Sequence, residues 1–145
     1  MTSIQQLLES KGSEFWSTTL DASVYEALQL LAEKNIGALV VLQNEELAGV
    51  VSERDYARKV VLSGKTSMET PVKEIMTEEV ITIGTETTVD EAMALMTDKH
   101  IRHLPVVEGG IVVGIVSIGD LVKAVIADRE FTINQMEKYI SGKRS

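Results

Sequence analysis

The chain has 145 residues, of which 44% are hydrophobic, 25% charged and only 4% aromatic, with a formal net charge of −8 and no cysteine. That length suits one compact domain or two small ones built on an aliphatic core. The missing cysteines exclude disulfides, thiolate metal sites and cysteine nucleophiles; the acidic balance argues against DNA or RNA as a partner; and no apolar run approaches the roughly 18 residues that span a bilayer.

The N-terminus, Met1 to Ser10, has no basic stretch ahead of a long apolar run, so it reads as a cytoplasmic protein without a signal peptide. Within it Ile4-Gln5-Gln6-Leu7-Leu8 has a counterpart in Val72-Lys73-Glu74-Ile75-Met76, at an offset of 68. Phe15-Trp16-Ser17-Thr18 reads as a short extended piece. Ser23 is an N-cap with Glu26 three residues on, and Val24, Ala27, Leu28 and Leu31 give the helix that follows one apolar face. Ala38–Leu42 and Leu47–Val51 read as two strands of a hairpin, joined by the polar turn Gln43-Asn44-Glu45-Glu46. A further helix begins near Asp55. Gly64, Ser67 and Pro71 mark a linker.

The same succession then returns at an offset of 65: Val80-Ile81-Thr82-Ile83 extended, Thr88 and Glu91 as cap, Val89, Ala92, Met93 and Met96 as apolar face, strands His103–Val107 and Ile111–Val116 around Glu108-Gly109-Gly110, and a helix near Asp120. Between 24–60 and 89–125, 13 of 37 positions are identical, where chance gives roughly 2 to 4. The change from 68 to 65 places three extra residues around Lys11–Glu14. The chain therefore divides into repeat 1 (1–63), a linker (64–71), repeat 2 (72–127) and a C-terminal helix and tail (128–145). One repeat is too small to bury a generous core alone, so the pair is the folding unit. A further helical stretch runs from Ala127 to Ile140, and Ile126, Ile133, Met136 and Ile140 form an apolar stripe, to be buried either on the module itself or against a second copy.

Three elements carry a family resemblance. Gly49-Val50-Val51-Ser52-Glu53-Arg54-Asp55 and Gly114-Ile115-Val116-Ser117-Ile118-Gly119-Asp120 share a glycine followed by two hydrophobic residues, Ser-x-x-Asp. With Val72-Lys73-Glu74-Ile75-Met76-Thr77 and Ile101-Arg102-His103-Leu104-Pro105-Val106-Val107, this resembles the cystathionine-β-synthase (CBS) domain, over about residues 4 to 127. The chain looks like a stand-alone tandem CBS protein of the bacterial type. The resemblance implies an α/β (α+β) fold of two β-α-β-β-α repeats packed sheet to sheet as a pseudo-two-fold module, with two clefts for adenosyl ligands such as AMP, ADP, ATP, NAD(H) or S-adenosylmethionine. It also implies a homodimer that senses energy or redox state and signals to a regulated protein partner.

The residues themselves suit such a ligand. Ser52 and Ser117 stand where a strand end meets a helix start, a backbone N–H-rich place for a phosphate. Asp55 and Asp120 can accept from both hydroxyls of a ribose; the competing reading is that these serines and aspartates cap the last helix of each repeat. Arg54, Arg58 and Lys59 lie within six positions, and Arg54 and Arg58, four apart, form either a phosphate clamp or a solvated face. Repeat 2 keeps only Lys123 there, so the two clefts should be unequal. Arg102 and His103 resemble the basic residues that contact phosphate in this family; the rival reading is a surface pair at a strand start. For adenine, the apolar slot is assigned to Val80, Ile81, Thr82 and Ile83 with Ile115 and Val116 behind, and in the other copy to Trp16, Ser17, Thr18 and Val50, with Trp16 either stacking on the base or packing at the rim.

No nucleophile motif, P-loop or metal-ligand set is present, and His100 and His103 alone do not make a metal site. The expectation is a non-catalytic regulatory module with no obligatory cofactor, no metal, no nucleic acid and no membrane. The alternative is a structural or dimerisation module with degenerate sites.

Overall fold

A computed structural model of the protein describes residues 2–140, the side chains of the last two apart. Its elements run α1 (Ile4–Lys11), β1 (Ser17–Thr19), α2 (Val24–Lys34), β2 (Ala38–Gln43), β3 (Glu46–Ser52), α3 (Glu53–Tyr56), α4 (Val89–Lys99), β4 (His103–Glu108), β5 (Ile111–Ser117) and α5 (Ile118–Ile140). A π-helical turn, Ala57–Val61, continues α3, and a 3-10 turn, Val72–Glu74, precedes α4.

The helices start where their capping residues place them. Ser23 and Thr88 accept from the backbone N–H of Glu26 and Glu91, which satisfies donors that the first turn leaves open. Asn35 and His100 end α2 and α4 in the left-handed region, at φ 54° and 56°. The hairpins are equally local in origin. Asn44 and Glu45, and in the second repeat Gly109 and Gly110, all take positive φ, the requirement of a two-residue turn matching strand twist. Both hairpins carry a bulge at the same place, Val41/Leu42 and Val106/Val107.

The third strand differs between repeats. Ser17–Thr19 pairs in parallel with Val40–Leu42. The expected strand at Val80–Ile83 does not form; only Ile83 bridges Val106. Gly84 stands where Thr19 completes β1, and glycine weakens a strand by its conformational freedom and lack of a side chain to pack. The last helix also departs from expectation. α5 is one continuous helix through residues 127 and 128. Leu121 is its fully buried residue, whereas Ile126, Ile133 and Met136 are about half exposed, so the module does not cover that stripe. The Ile140 side chain lies outside the described residues.

Two hydrophobic cores form, one per repeat, and each borrows from the segment that leads into the other repeat. Ile4, Leu7 and Leu8 of α1 enter the core of the second repeat with Val89, Met96, Leu104 and Val116. Val72 and Ile75 enter the core of the first with Val24, Leu31, Leu39 and Val51. Backbone bonds repeat the exchange: Val89 N–H donates to Thr2 O at 2.9 Å and Val24 N–H to Thr70 O at 2.8 Å. These lead-in segments also explain the glycine before each Ser-x-x-Asp. A Cβ at Gly49 would meet Thr77 O at 2.7 Å and Met76 Sδ at 2.8 Å, and one at Gly114 would meet Leu8 Cδ2 at 2.9 Å. β3 and β5 face each other across the pseudo-two-fold axis, so both strand-end turns open towards the junction between repeats.

Candidate functional site

Two cavities lie at that junction, and each is built from both repeats. Cleft 1, about 320 Å³, takes Val50, Ser52, Arg54 and Asp55 from the first repeat and Val80, Ile81, Ile101, Arg102 and His103 from the second. Cleft 2, about 660 Å³, reverses the contribution: Ile115, Ser117 and Asp120 from the second repeat, with Lys11, Trp16, Ile36, Gly37 and Ala38 from the N-terminal half. The offset of 65 carries one lining set onto the other, so the clefts are pseudo-equivalent.

The pairing of slot residues is crossed relative to the sequence expectation. Val80 and Ile81 face Val50, not Ile115; Trp16 shares its cleft with Ile115, not Val50. Val116 is fully buried core. Thr82 and Ser17 are exposed, Thr18 is half-buried and Ile83 is buried in its core; none of these four lines either cleft. The reason is the exchange of lead-in segments: Phe15–Trp16 and Val80–Ile81, which follow them, lie against the strand end of the other repeat, whereas Ser17–Thr19 and Ile83 pair with strands of their own repeat.

The Ser-x-x-Asp turns are reciprocal caps. Asp55 N–H donates to Ser52 Oγ at 3.2 Å, and Ser52 N–H to Asp55 Oδ2 at 2.9 Å. Asp120 and Ser117 repeat both bonds at 3.1 and 2.9 Å. The capping role is therefore present, and both aspartates still line their clefts. Lys59 pairs with Asp55 Oδ1 at 3.0 Å and donates to Ile75 O at 2.9 Å; it lies behind the turn, outside cleft 1. Arg58 is exposed and lines neither cleft. Arg54 and Arg58 thus do not form one clamp. Instead Arg54 shares cleft 1 with Arg102 of the other repeat, and both also edge an outer groove with Thr97, His100 and Ile118. Among the described residues neither guanidinium makes an ion pair.

Lys11 is the cleft residue that sequence reasoning missed. Its Nζ donates to Asp120 Oδ2 at 2.7 Å and to Ile115 O at 3.0 Å. It sits where the repeat offset changes from 68 to 65, and neither offset gives it a basic counterpart, the matching residues being Glu79 and Met76. Burial alone would raise the Asp120 carboxyl, but the Lys11 ammonium and the Ser117 N–H outweigh it and hold the group below its ordinary value. Gly37, Ile36 and Ile101 were missed for a related reason, because nothing local marks the residues after a helix C-cap as cavity lining.

His103 lines both clefts, and a Cβ on Gly37 would come within 3.2 Å of its Nε2. Burial pushes its imidazole pKa down; Asp120 pulls it up, and Arg102 and Lys11 lower it further. A histidine with a depressed folded pKa binds more protons unfolded, so its contribution is whole above about pH 6.5 and is lost as pH falls towards the folded value. Asp120 acts in the same direction, but only near and below about pH 4. Stability measured by denaturant titration should therefore decline from pH 7 to pH 5, with a shallower slope in His103→Gln. An unchanged slope in that variant would remove His103 as the source.

Such a doubled unit, with two pseudo-equivalent clefts between its copies, is a tandem-repeat module. The CBS domain family matches residues 13–62 and 72–127, and the chain belongs to that family. It is 43% identical to the CBS domain-containing protein CBSX3, mitochondrial, of Arabidopsis thaliana, over 97% of this chain and 73% of that protein. A solved protein with CBS domains from Burkholderia ambifaria is 49% identical, with a TM-score of 0.85, covering 88% of this chain and 96% of the other. The CBS domain pair of protein MJ0100, solved in complex with 5'-methylthioadenosine and S-adenosyl-L-methionine, is 28% identical with a TM-score of 0.77, covering 88% and 98%.

Proposed function

We propose that this chain is a non-catalytic regulatory module that binds an adenine nucleotide in cleft 1 and passes energy or redox state to a protein partner. The observation that carries the reading is that Arg54 and Arg102, from opposite repeats and without ion-pair partners among the described residues, line one cavity. Two guanidiniums presenting paired donors suit phosphate oxygens. Val50, Val80, Ile81 and Ile101 line the same cavity and offer an apolar surface to a purine, and Asp55 offers carboxylate oxygens to a ribose. The adenosyl ligands of the MJ0100 pair support the nucleoside half of this assignment.

Because the lining comes from both repeats, ligand contacts tie them together, and a bound nucleotide shifts their relative angle by its differential affinity for the two arrangements. The module acts in the cytoplasm as a homodimer, a setting in keeping with a chain lacking cysteine and with the exposed Ile126, Phe131, Ile133 and Met136 on α5.

Calorimetric titration with adenosine, AMP, ADP, ATP, NAD, NADH and S-adenosylmethionine tests the reading. A phosphorylated adenylate should bind at least ~10-fold more tightly than adenosine, as one charge-assisted contact set requires. Equal affinity would remove the phosphate assignment. Silence from every compound at millimolar concentration would leave a structural module.

A further inference from the structure

We infer that Lys11 closes cleft 2 to ligand, so that each chain takes a single adenine nucleotide, in cleft 1. The inference rests on the nucleotide reading above and concerns how this chain treats the pseudo-equivalent position. Lys11 Nζ reaches from the end of α1 onto Asp120 Oδ2 at 2.7 Å and Ile115 O at 3.0 Å. Asp120 is the counterpart of Asp55, the ribose acceptor assigned in cleft 1, and Ile115 is the counterpart of Val50 in the slot wall. The ammonium therefore occupies one oxygen of the carboxylate matching the ribose acceptor of cleft 1, together with a carbonyl of the slot wall, and stands in the path of a nucleoside entering cleft 2. A ligand entering there would have to break both bonds and leave a half-buried ammonium and carboxylate, 32% and 23% exposed, without each other.

Asp55 also carries a lysine, but the geometry differs. Lys59 comes from one turn further along the same helical segment, is held on its far side by Ile75 O, and does not line cleft 1. The residue matching Lys11 at the offset of 68 is Glu79, so nothing basic lies in front of Asp55 from the corresponding segment. Cleft 2 also lacks the clamp. Gly119, Gly37 and Ala38 stand where cleft 1 has Arg54, Arg102 and His103, and among the described residues Lys11 is the one Lys or Arg lining it. The cations at cleft 2 are then Lys11 itself and Lys34, whose Nζ lies 4.2 Å from the Trp16 ring centroid, so a phosphate there meets no paired guanidinium donors.

The chain contains its own reporter. Trp16, the single tryptophan, lines cleft 2 and not cleft 1. The experiment is calorimetry with AMP for stoichiometry per chain, alongside Trp16 fluorescence during titration with adenosine and with AMP. The unmodified chain should bind one AMP with no change at Trp16. Lys11→Ala should add a second site that takes adenosine and shifts Trp16 emission, at least ~10-fold tighter than any Trp16-detected binding in the unmodified chain. Lys11→Arg should stay closed, and thermal melts of both variants confirm that the fold is kept. A Trp16 response in the unmodified chain, or a Lys11→Ala chain still limited to one silent site, would overturn the closure while leaving the cleft 1 reading intact. No binding by any of the three chains would instead overturn the nucleotide reading, and the closure with it.

Discussion

Replacing both Arg54 and Arg102 by alanine is expected to weaken AMP binding about 100-fold or more while leaving adenosine affinity and thermal stability nearly unchanged. The magnitude follows from charge-assisted hydrogen bonds worth about 1.5–3 kcal/mol each, with about 1.4 kcal/mol per tenfold in affinity. Stability is spared because both side chains are exposed and hold no ion pair among the described residues. The two single variants add a finer test. If the guanidiniums share one phosphate group, their effects are non-additive, with a coupling of about 0.5–3 kcal/mol in a double-mutant cycle. A double variant that binds AMP like the parent would move the phosphate site elsewhere.

Ile4→Ala should cost about 2–5 kcal/mol of stability, the range for deleting buried methyl groups from a packed core. Ile4 is fully buried although it lies four residues from the N-terminus. The loss should be felt in the second repeat, some 85 residues away in sequence on the offset that separates Ile4 from Val89. Hydrogen exchange should accelerate first in α4, β4 and β5, whose buried Val89, Met96, Leu104 and Val116 share the core with Ile4. Ile75→Ala should act reciprocally on α2 and β2, through Val24, Leu31 and Leu39. Exchange that accelerates first in α2 and β2 when Ile4 is truncated would contradict the exchange of lead-in segments.

The two expectations share a cause that also marks where sequence reading succeeds. Strand limits at Ala38, Glu46, His103 and Ile111, helix starts at Val24 and Val89, and turns at Asn44-Glu45 and Gly109-Gly110 were all legible within a residue or two. Each is decided by neighbours within about four positions: a capping side chain, a period of apolar residues, a backbone that must take positive φ. The failures share the opposite property. The strand expected at Val80–Ile83 is absent where Gly84 stands in place of Thr19, a difference the shared apolar pattern does not reveal. Arg58 and Lys59 left the cleft because α3 runs only to Tyr56 before the π-helical turn carries the chain away.

Repetition established from the residues alone that the protein has two equivalent units, an aliphatic core in each, and a Ser-x-x-Asp turn at the same place in both. It also established that matching positions differ in charge, Arg54 of the first repeat standing opposite Gly119 of the second and Arg102 of the second opposite Gly37 of the first. Which copy's residues meet was left to the tertiary structure. An internal offset says that two positions are equivalent, but equivalence holds whether a segment packs on its own repeat or on its twin. Here α1 crosses to the second repeat and Val72–Ile75 to the first. That crossing sets Val50 against Ile81, brings Arg102 to Arg54 and lays Lys11 across Asp120, because burial of Ile4, Leu8, Val72 and Ile75 is satisfied only in the opposite core.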